Sequence, residues 1–134
     1  DEAGPLNGPA DASGLPLIFL LAPTSTTSRR KLVARESQGF VYYVSLTGIT
    51  GSKLSNVGDV QDNVKKLRKV STAPVAVGFG VATPEDAARV SKIADGVIVG
   101  SAIVKRIAFY QQDPAMVEHV AEFVRSLKAA MAHA

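Results

Sequence analysis

Four short stretches of the chain are almost continuously apolar, and more polar segments separate them. They are residues 16–22 (PLIFLLA), 39–45 (GFVYYVS), 74–79 (PVAVGF) and 96–99 (GVIV). Continuous apolar runs are typical of strands in a parallel sheet that is buried on both faces, whereas alternating runs indicate a sheet with one solvated face. The pattern therefore predicts four parallel strands with both faces covered.

A segment with helical spacing of apolar residues follows each predicted strand. These helices are expected at residues 24–37, 59–70, from 83 onward and 101–110, and a fifth begins at residues 113–114 and runs toward 132. The third begins with Thr83, a good cap, followed by Pro84 and two acidic residues, which is typical of a helix start. The apolar faces are predicted at Val60, Val64, Leu67 and Val70, at Ala87, Val90 and Ala94, at Ile103, Val104 and Ile107, and at Val117, Val120, Val124, Leu127 and Met131.

The order βα-βα-βα-βα-α indicates an α/β fold with right-handed crossovers. Residues 1–14 carry three Gly and two Pro, so they predict a loop or a frayed helix. Residues 46–58 are rich in Gly, Ser, Thr and Asn, and their length predicts a mobile active-site loop. A second domain has no signature, so residues 1–134 are expected to form one domain.

Composition narrows the function classes. The chain has 134 residues, of which 46% are hydrophobic and 20% are charged, which argues against a disordered chain. Its longest apolar stretch, residues 15–23, is shorter than the roughly 20 residues of a membrane helix. It has no cysteine, which excludes disulfides, thiolate zinc sites and a cysteine nucleophile. The net charge of +3 comes from basic clusters on predicted outer helix faces, which is weak support for nucleic-acid binding.

Candidate chemistry lies after the third and fourth predicted strands, because parallel βα proteins bind ligands at the carboxyl ends of their strands. The third ends in residues 78–80 (GFG), and the fourth leads through Gly100 and Ser101 straight into a helix. Glycines let a backbone approach a ligand, and a helix start offers unpaired N–H groups to an anion. The pattern indicates a phosphate site, which Gly51 and Gly80 would help to close; singly, each glycine is also compatible with a simple turn.

Carriers for acid–base chemistry are missing from the predicted strand ends. None of the twelve acidic residues lies at the carboxyl end of a predicted strand, and His119 and His133 both fall in the last helix, where exposure is expected. No His, Asp or Glu cluster has metal-ligand spacing, so no metal is predicted. Tyr42 or Tyr43 and Thr50 are the remaining side chains that could support the chemistry without acting as its main acid or base.

These strand ends also carry a family resemblance. The segments PLIFLLAPTST (16–26), GFVYYVSLTGITG (39–51), PVAVGFGVATPE (74–85) and DGVIVGSAIVK (95–105) closely resemble the tryptophan synthase α subunit, in order and with suitable spacing. The resemblance covers the second half of that family only, strands five to eight. It implies a TIM (β/α)8-barrel fold, represented here by a four-strand parallel half-barrel, (βα)4, with a C-terminal helix.

The resemblance implies a lyase of tryptophan biosynthesis that cleaves indole-3-glycerol phosphate to indole and glyceraldehyde 3-phosphate by retro-aldol chemistry. Leu46 stands where some members have Arg. The resemblance implies that the phosphate is held by Gly51, Gly80, Gly100 and Ser101 and that the indole-glycerol pocket is lined by Phe79 and Ile98. It also implies that Tyr42 contacts the substrate and orients a catalytic acid, and that Thr50 helps to close the mobile loop over that acid.

Catalytic carboxylates and partners are implied to lie outside this chain. The family's two catalytic acids belong to its first half, so this chain alone is expected to be inactive. It is expected to need no cofactor, since pyridoxal phosphate belongs to the partner β subunit. The open half-barrel is expected to pair with a complementary N-terminal half or with a second copy, and the start at Asp1 without Met indicates a fragment.

Three other functions stay open at this stage. The chain could be a non-catalytic half-barrel or scaffold that at most binds phosphate. It could belong to another phosphate-binding barrel, such as a histidine-biosynthesis isomerase or indole-glycerol-phosphate synthase, although TGITG and GFG argue against that. Nucleic-acid binding is the weakest alternative, and no membrane association is expected. The implied location is the cytoplasm, or the plastid stroma if the source is a plant or alga.

Overall fold

Four parallel strands form the centre of the molecule, as predicted. The computed structural model describes residues 4–44, 57–78 and 80–132. Within them the sheet has the order β1-β2-β3-β4, and all three neighbouring pairs are parallel. The strands are shorter than the apolar runs that predict them: β1 (Leu20–Leu21), β2 (Val41–Val44), β3 (Val75–Gly78) and β4 (Gly96–Val97).

Helices lie before, between and after these strands. They are α1 (Gly4–Ala12), α2 (Thr27–Glu36), α3 (Val57–Arg68), α4 (Pro84–Ser91), α5 (Ser101–Phe109) and α6 (Met116–Ala132). Helix α1 occupies most of residues 1–14, for which the sequence predicted either a loop or a frayed helix. The prediction placed residues 57 and 58 in the loop 46–58, but α3 already begins at Val57. The rest of that loop lies outside the described residues.

Only one face of the sheet is covered by the described residues, so the predicted burial of both faces is wrong for this chain. Tyr43, Val75 and Val77 point to the covered face and are fully buried, and α3 and α4 contribute Leu67 and Val90 to the same core. Side chains one position along each strand point the other way and stay partly accessible. The apolar runs are continuous because both faces are apolar, although the described residues cover only one of them.

The last two helices expose part of the apolar faces predicted for them. In α5, Val104 is 63% exposed and Ile107 is also exposed, and in α6 Val117 is exposed. Helix α6 packs on α4, and its Phe123 and Leu127 are buried in the hydrophobic core. Periodicity alone defined a broad apolar stripe on α6, and the position of α4 decides which part of it is buried. None of the helices in the described ranges is long and apolar enough to span a membrane.

Candidate functional site

The carboxyl ends of the four parallel strands meet at one edge of the sheet, beside its open face. Five of the predicted site residues belong to the described structure: one lies within β2, one follows β3, and three lie between the end of β4 and the start of α5. Thr50, Gly51 and Phe79 lie outside the described residues. The five are Tyr42, Gly80, Ile98, Gly100 and Ser101.

Tyr42 lies across Gly78 on the open face. A Cβ atom built on Gly78 would be 2.6 Å from both Cε2 and Oη of Tyr42 and 2.9 Å from its Cζ. Side chains never approach so closely, so the ring occupies space that exists only because position 78 has no side chain. Tyr42 is half-buried and therefore presents an aromatic surface and a hydroxyl group to the open face.

The connection after β3 turns sharply and then starts a helix. Gly80 is exposed and has a φ of +47°, a left-handed conformation that favours glycine. Helix α4 begins soon after, with a capping box: the amide of Asp86 donates to Oγ1 of Thr83, and the Asp86 carboxylate accepts from the amide of Thr83, both at 3.2 Å. This box fixes where α4 begins relative to the turn at Gly80.

The connection after β4 leads into a helix start with no side-chain cap. Gly100 is the N-cap residue of α5, is exposed, and makes no capping side-chain bond. Its carbonyl accepts from the amides of Ile103 and Val104 at 3.0 and 3.1 Å, which leaves Ser101 and Ala102 as first-turn amides without an intrahelical partner. Such amides, together with the positive end of the helix dipole, favour an anion. Ile98 is half-buried two residues before Gly100.

Acidic residues near the described strand ends have structural partners. The carboxylate of Asp86 caps α4 and also pairs with Arg89 at 2.7 Å. Asp95 accepts from the amide of Val75 at 2.8 Å and from Arg68 at 2.8 Å, at the opposite end of the sheet. Because both carboxylates are engaged in this way, neither is placed to act as an acid or base at the glycine-rich edge.

His119 is held within the α5–α6 region, away from the strand ends in sequence. Its ring stacks on Tyr110 at 4.2 Å between centroids, and its Nε2 lies 3.3 Å from the Asp113 carboxylate. Across residues 4–44, 57–78 and 80–132, no group of three or more His, Asp and Glu side chains is arranged to hold a metal ion.

A polar cluster behind β2 is missed by sequence reasoning. Tyr43 points to the helix side of the sheet and is buried, and burial raises the pKa of its phenol against the opposing influence of nearby Arg30. The Arg30 guanidinium donates to Oδ1 of Asn63 at 3.1 Å and to the carbonyl of Pro23 at 3.4 Å, so it joins the end of β1 to α3. No local sequence motif predicts this cluster, because its members are brought together only by packing of α2 and α3 on the sheet.

Comparisons with known proteins agree with this architecture. Residues 1–132 match the family model described as tryptophan synthase alpha chain. The tryptophan synthase alpha chain of Geobacter sp. strain M21 is 47% identical over 128 residues, which is 96% of this chain and 48% of that relative. The chain therefore spans about half the length of the curated relatives it matches.

Solved structures show the same half-length similarity. Tryptophan synthase subunit alpha from Legionella pneumophila strain Paris superposes with a TM-score of 0.84 at 30% identity, over 99% of this chain and 48% of that one. A tryptophan synthase a2b2 complex from the hyperthermophile Pyrococcus furiosus gives a TM-score of 0.78 at 32% identity, over 95% and 51% of the two chains. These similarities confirm the predicted half-barrel of the (β/α)8 class. The chain belongs to the tryptophan synthase alpha chain family.

Proposed function

We propose that this chain is the phosphate- and indole-binding half of a lyase that cleaves indole-3-glycerol phosphate to indole and glyceraldehyde 3-phosphate in tryptophan biosynthesis. The observation that carries the proposal is the start of α5 at Gly100 and Ser101 without a side-chain cap, which follows the strand next to the one that leads to the exposed Gly80. The family to which the chain belongs supports the biosynthetic role.

The phosphate would bind at the amides of the first turn of α5. An anion at a helix start gains about 0.3–1 kcal/mol at an exposed site and up to about 2 kcal/mol where it is partly buried. Apart from its chain neighbours, Gly100 has no described atom within 4 Å of where its Cβ would be, so no packed side chain fills that position beside the helix start. Tyr42 and Ile98 would contact the indole-glycerol portion, while Gly51, Thr50 and Phe79 are proposed from the family resemblance alone.

The reaction needs two proton carriers. The bond between indole C3 and the adjacent glycerol carbon breaks, the hydroxyl on that carbon loses a proton as it becomes the aldehyde, and C3 of indole gains one. Asp86 and Asp95 are committed to a helix cap and to the far end of the sheet. The acid and base would therefore come from the part of the family that this chain does not match, and the isolated chain is expected to be inactive.

Partners follow from the same proposal. The similarity to an a2b2 complex supports a tryptophan synthase β subunit as the partner that receives indole. Pyridoxal phosphate would be carried by that β subunit, and we expect this chain to bind no cofactor of its own.

Titration calorimetry with indole-3-glycerol phosphate and with glycerol 3-phosphate tests the binding proposal. Both ligands should bind, and Gly100→Asp should abolish binding because it places a carboxylate beside the helix start. Gly8→Asp in α1 adds the same charge at an exposed glycine and should leave binding unchanged. Binding that survives Gly100→Asp, or that is lost equally in both variants, would contradict the proposed phosphate site.

A non-catalytic half-barrel that only binds phosphate is the second candidate. The structural engagement of Asp86 and Asp95 favours it as a description of the isolated chain. An indole-release assay distinguishes the two after a polypeptide carrying the family's first half is added. Recovery of indole release supports the lyase, and ligand binding without any recovery supports the non-catalytic alternative.

A further inference from the structure

Helix α5 carries the candidate phosphate site at its start, yet it is anchored by little buried surface. Within the described structure, none of the residues of Ser101–Phe109 is buried. Ala102 and Ile103, in its first turn, are partly buried and pack against the hydrophobic core. The direction of the helix axis therefore also depends on contacts made farther along α5.

Two such contacts join α5 to α6. The guanidinium carbon of Arg106 lies 3.8 Å from the centroid of the Phe123 ring, and Phe123 is buried in the core. Tyr110, the C-cap residue of α5, stacks on His119 at 4.2 Å between ring centroids. Arg106 is half-buried, and a guanidinium group over an aromatic face is held more strongly where water is partly excluded. Of the two contacts, the one made by Arg106 is nearer the start of α5.

The helix dipole alone does not account for the place of Arg106. A basic residue in the last turn of a helix is favoured by the negative end of the dipole, and Arg106 lies in that turn. The exposed Lys105 next to it satisfies the same preference without packing on a ring. Among the described residues, no carboxylate forms an ion pair with Arg106, so its guanidinium contacts the Phe123 ring instead.

The contact of Arg106 with Phe123 lies where it can set the direction of α5. Arg106 follows the first residue of the helix by five positions, which is about 7.5 Å along the axis at 1.5 Å per residue. Packing of Ala102 fixes the first turn in place, and a second attachment farther along the helix fixes its tilt. The free amide of Ser101 points roughly along the axis, so its direction changes with any tilt.

We propose that Arg106 is a positioning residue for the phosphate site, because its contact with Phe123 holds α5 in the direction in which the first-turn amides face the ligand. The inference rests on the proposed function, since it concerns the same helix start. Without the contact, α5 adopts several directions and only a fraction of the chains is ready to bind. The apparent dissociation constant then rises as that fraction falls.

Titration calorimetry with glycerol 3-phosphate tests the proposal on the 134-residue chain. Arg106→Met keeps a long side chain without the charge and should raise the dissociation constant about threefold to tenfold. Arg106→Lys keeps a cation that can lie on the ring, so its dissociation constant should stay within about twofold of the wild-type value. Lys105→Met removes the same charge from the neighbouring exposed position and should leave binding unchanged. Phe123→Leu should weaken binding as Arg106→Met does, and the double variant should bind no more weakly than the weaker single variant.

Amide hydrogen exchange followed by nuclear magnetic resonance tests the positioning without any ligand. The amides of Ile103 and Val104 donate to the carbonyl of the N-cap residue, so their exchange reports on the first turn of α5. In Arg106→Met both amides should exchange faster, and the increase should exceed that of the amides in β2 and β3. In Arg106→Lys and Lys105→Met the rates should match the wild-type chain. Circular dichroism shows which variants fold.

Several outcomes would overturn the role of Arg106. Unchanged binding in Arg106→Met would do so, and so would an equal loss in Lys105→Met, which would make net charge responsible. A folded Phe123→Leu variant with wild-type affinity would show that the ring is not the partner; if that variant does not fold, the Arg106 and Lys105 variants decide. If the wild-type chain binds no ligand, the proposed phosphate site fails, and the exchange rates alone decide: an increase no larger in α5 than in the strands would refute the positioning role.

Discussion

Gly78→Ala is the sharpest perturbation that the structure offers, because it adds one carbon where a ring already lies. The new Cβ would be 2.6 Å from two atoms of the Tyr42 side chain, well inside van der Waals contact. Overpacking costs about 1–3 kcal/mol in a well-packed core, and the low end of that range applies here because the atoms met are the far end of a side chain. Tyr42 is half-buried and can swing toward the open face, so the backbone is expected to stay in place and the ring to move.

Gly96→Ala is the matched control. Gly96 lies on the same face of the sheet, and a Cβ there would meet Cβ of Ala76 at 3.5 Å, an ordinary contact. Both variants gain the same roughly 0.5–1 kcal/mol from replacing a strand glycine. Their difference therefore isolates the collision with Tyr42, and Gly78→Ala should be less stable than Gly96→Ala by about 1 kcal/mol, the low end of the range for overpacking.

Urea unfolding followed by circular dichroism, at one fixed protein concentration, measures this difference. A double-mutant cycle then tests its cause: in a Tyr42→Ala background, the difference between the two alanine variants should fall below about 0.5 kcal/mol. Equal stabilities of Gly78→Ala and Gly96→Ala, or a penalty that persists without the Tyr42 ring, would refute the reasoning.

Three further predictions concern the elements that hold the site in place. Thr83→Ala removes the side-chain cap of α4 and should lower the free energy of unfolding, measured with urea, by about 1 kcal/mol. Thr83→Ser keeps a capping hydroxyl and should retain most of that stability. Asp95→Ala leaves the partly buried amide at the start of β3 without its partner and should lower the free energy of unfolding by about 1–3 kcal/mol. Arg68→Ala breaks only the exposed ion pair to the same carboxylate and should lower it by less than about 1 kcal/mol. Burial raises the pKa of Tyr43 above 10.0, so the folded chain keeps the phenol proton to higher pH than the unfolded chain does. The free energy of unfolding should therefore fall as pH rises above about 10, and it should fall less steeply in Tyr43→Phe.

Apolar patterning was sufficient to predict the strands and their direction, since continuous apolar runs are typical of strands in parallel sheets. It could not tell which of two adjacent tyrosines faces which layer. Tyr42 and Tyr43 are equivalent in the sequence, yet one lies on the open face and the other is buried beneath helices. Strand side chains alternate, so a shift of one residue exchanges their faces, and only the packing of α2 and α3 fixes that choice.

Helix faces were predicted less completely for a related reason. Val104 and Ile107 have the spacing of a packed stripe, but α5 is short and its apolar side chains stay largely exposed. On α6, Phe123 is buried in the core, and the Arg106 guanidinium of α5 lies over its ring, 3.8 Å from the centroid. Periodicity identifies the apolar side of a helix, while the neighbouring element decides how much of that side is covered.

Glycine at the candidate site serves three different physical purposes, and this determines which position can test function. Gly78 gives up its side-chain space to Tyr42, so any substitution there disturbs packing. Gly80 has a positive φ, so a substitution there strains the backbone. Gly100 has a negative φ, and apart from its chain neighbours no described atom lies within 4 Å of its Cβ position, so a side chain there meets no packed neighbour. Loss of ligand binding on substitution of Gly100 therefore involves no packing collision, whereas the same loss at Gly78 would be mixed with a change in packing and at Gly80 with strain from a positive φ.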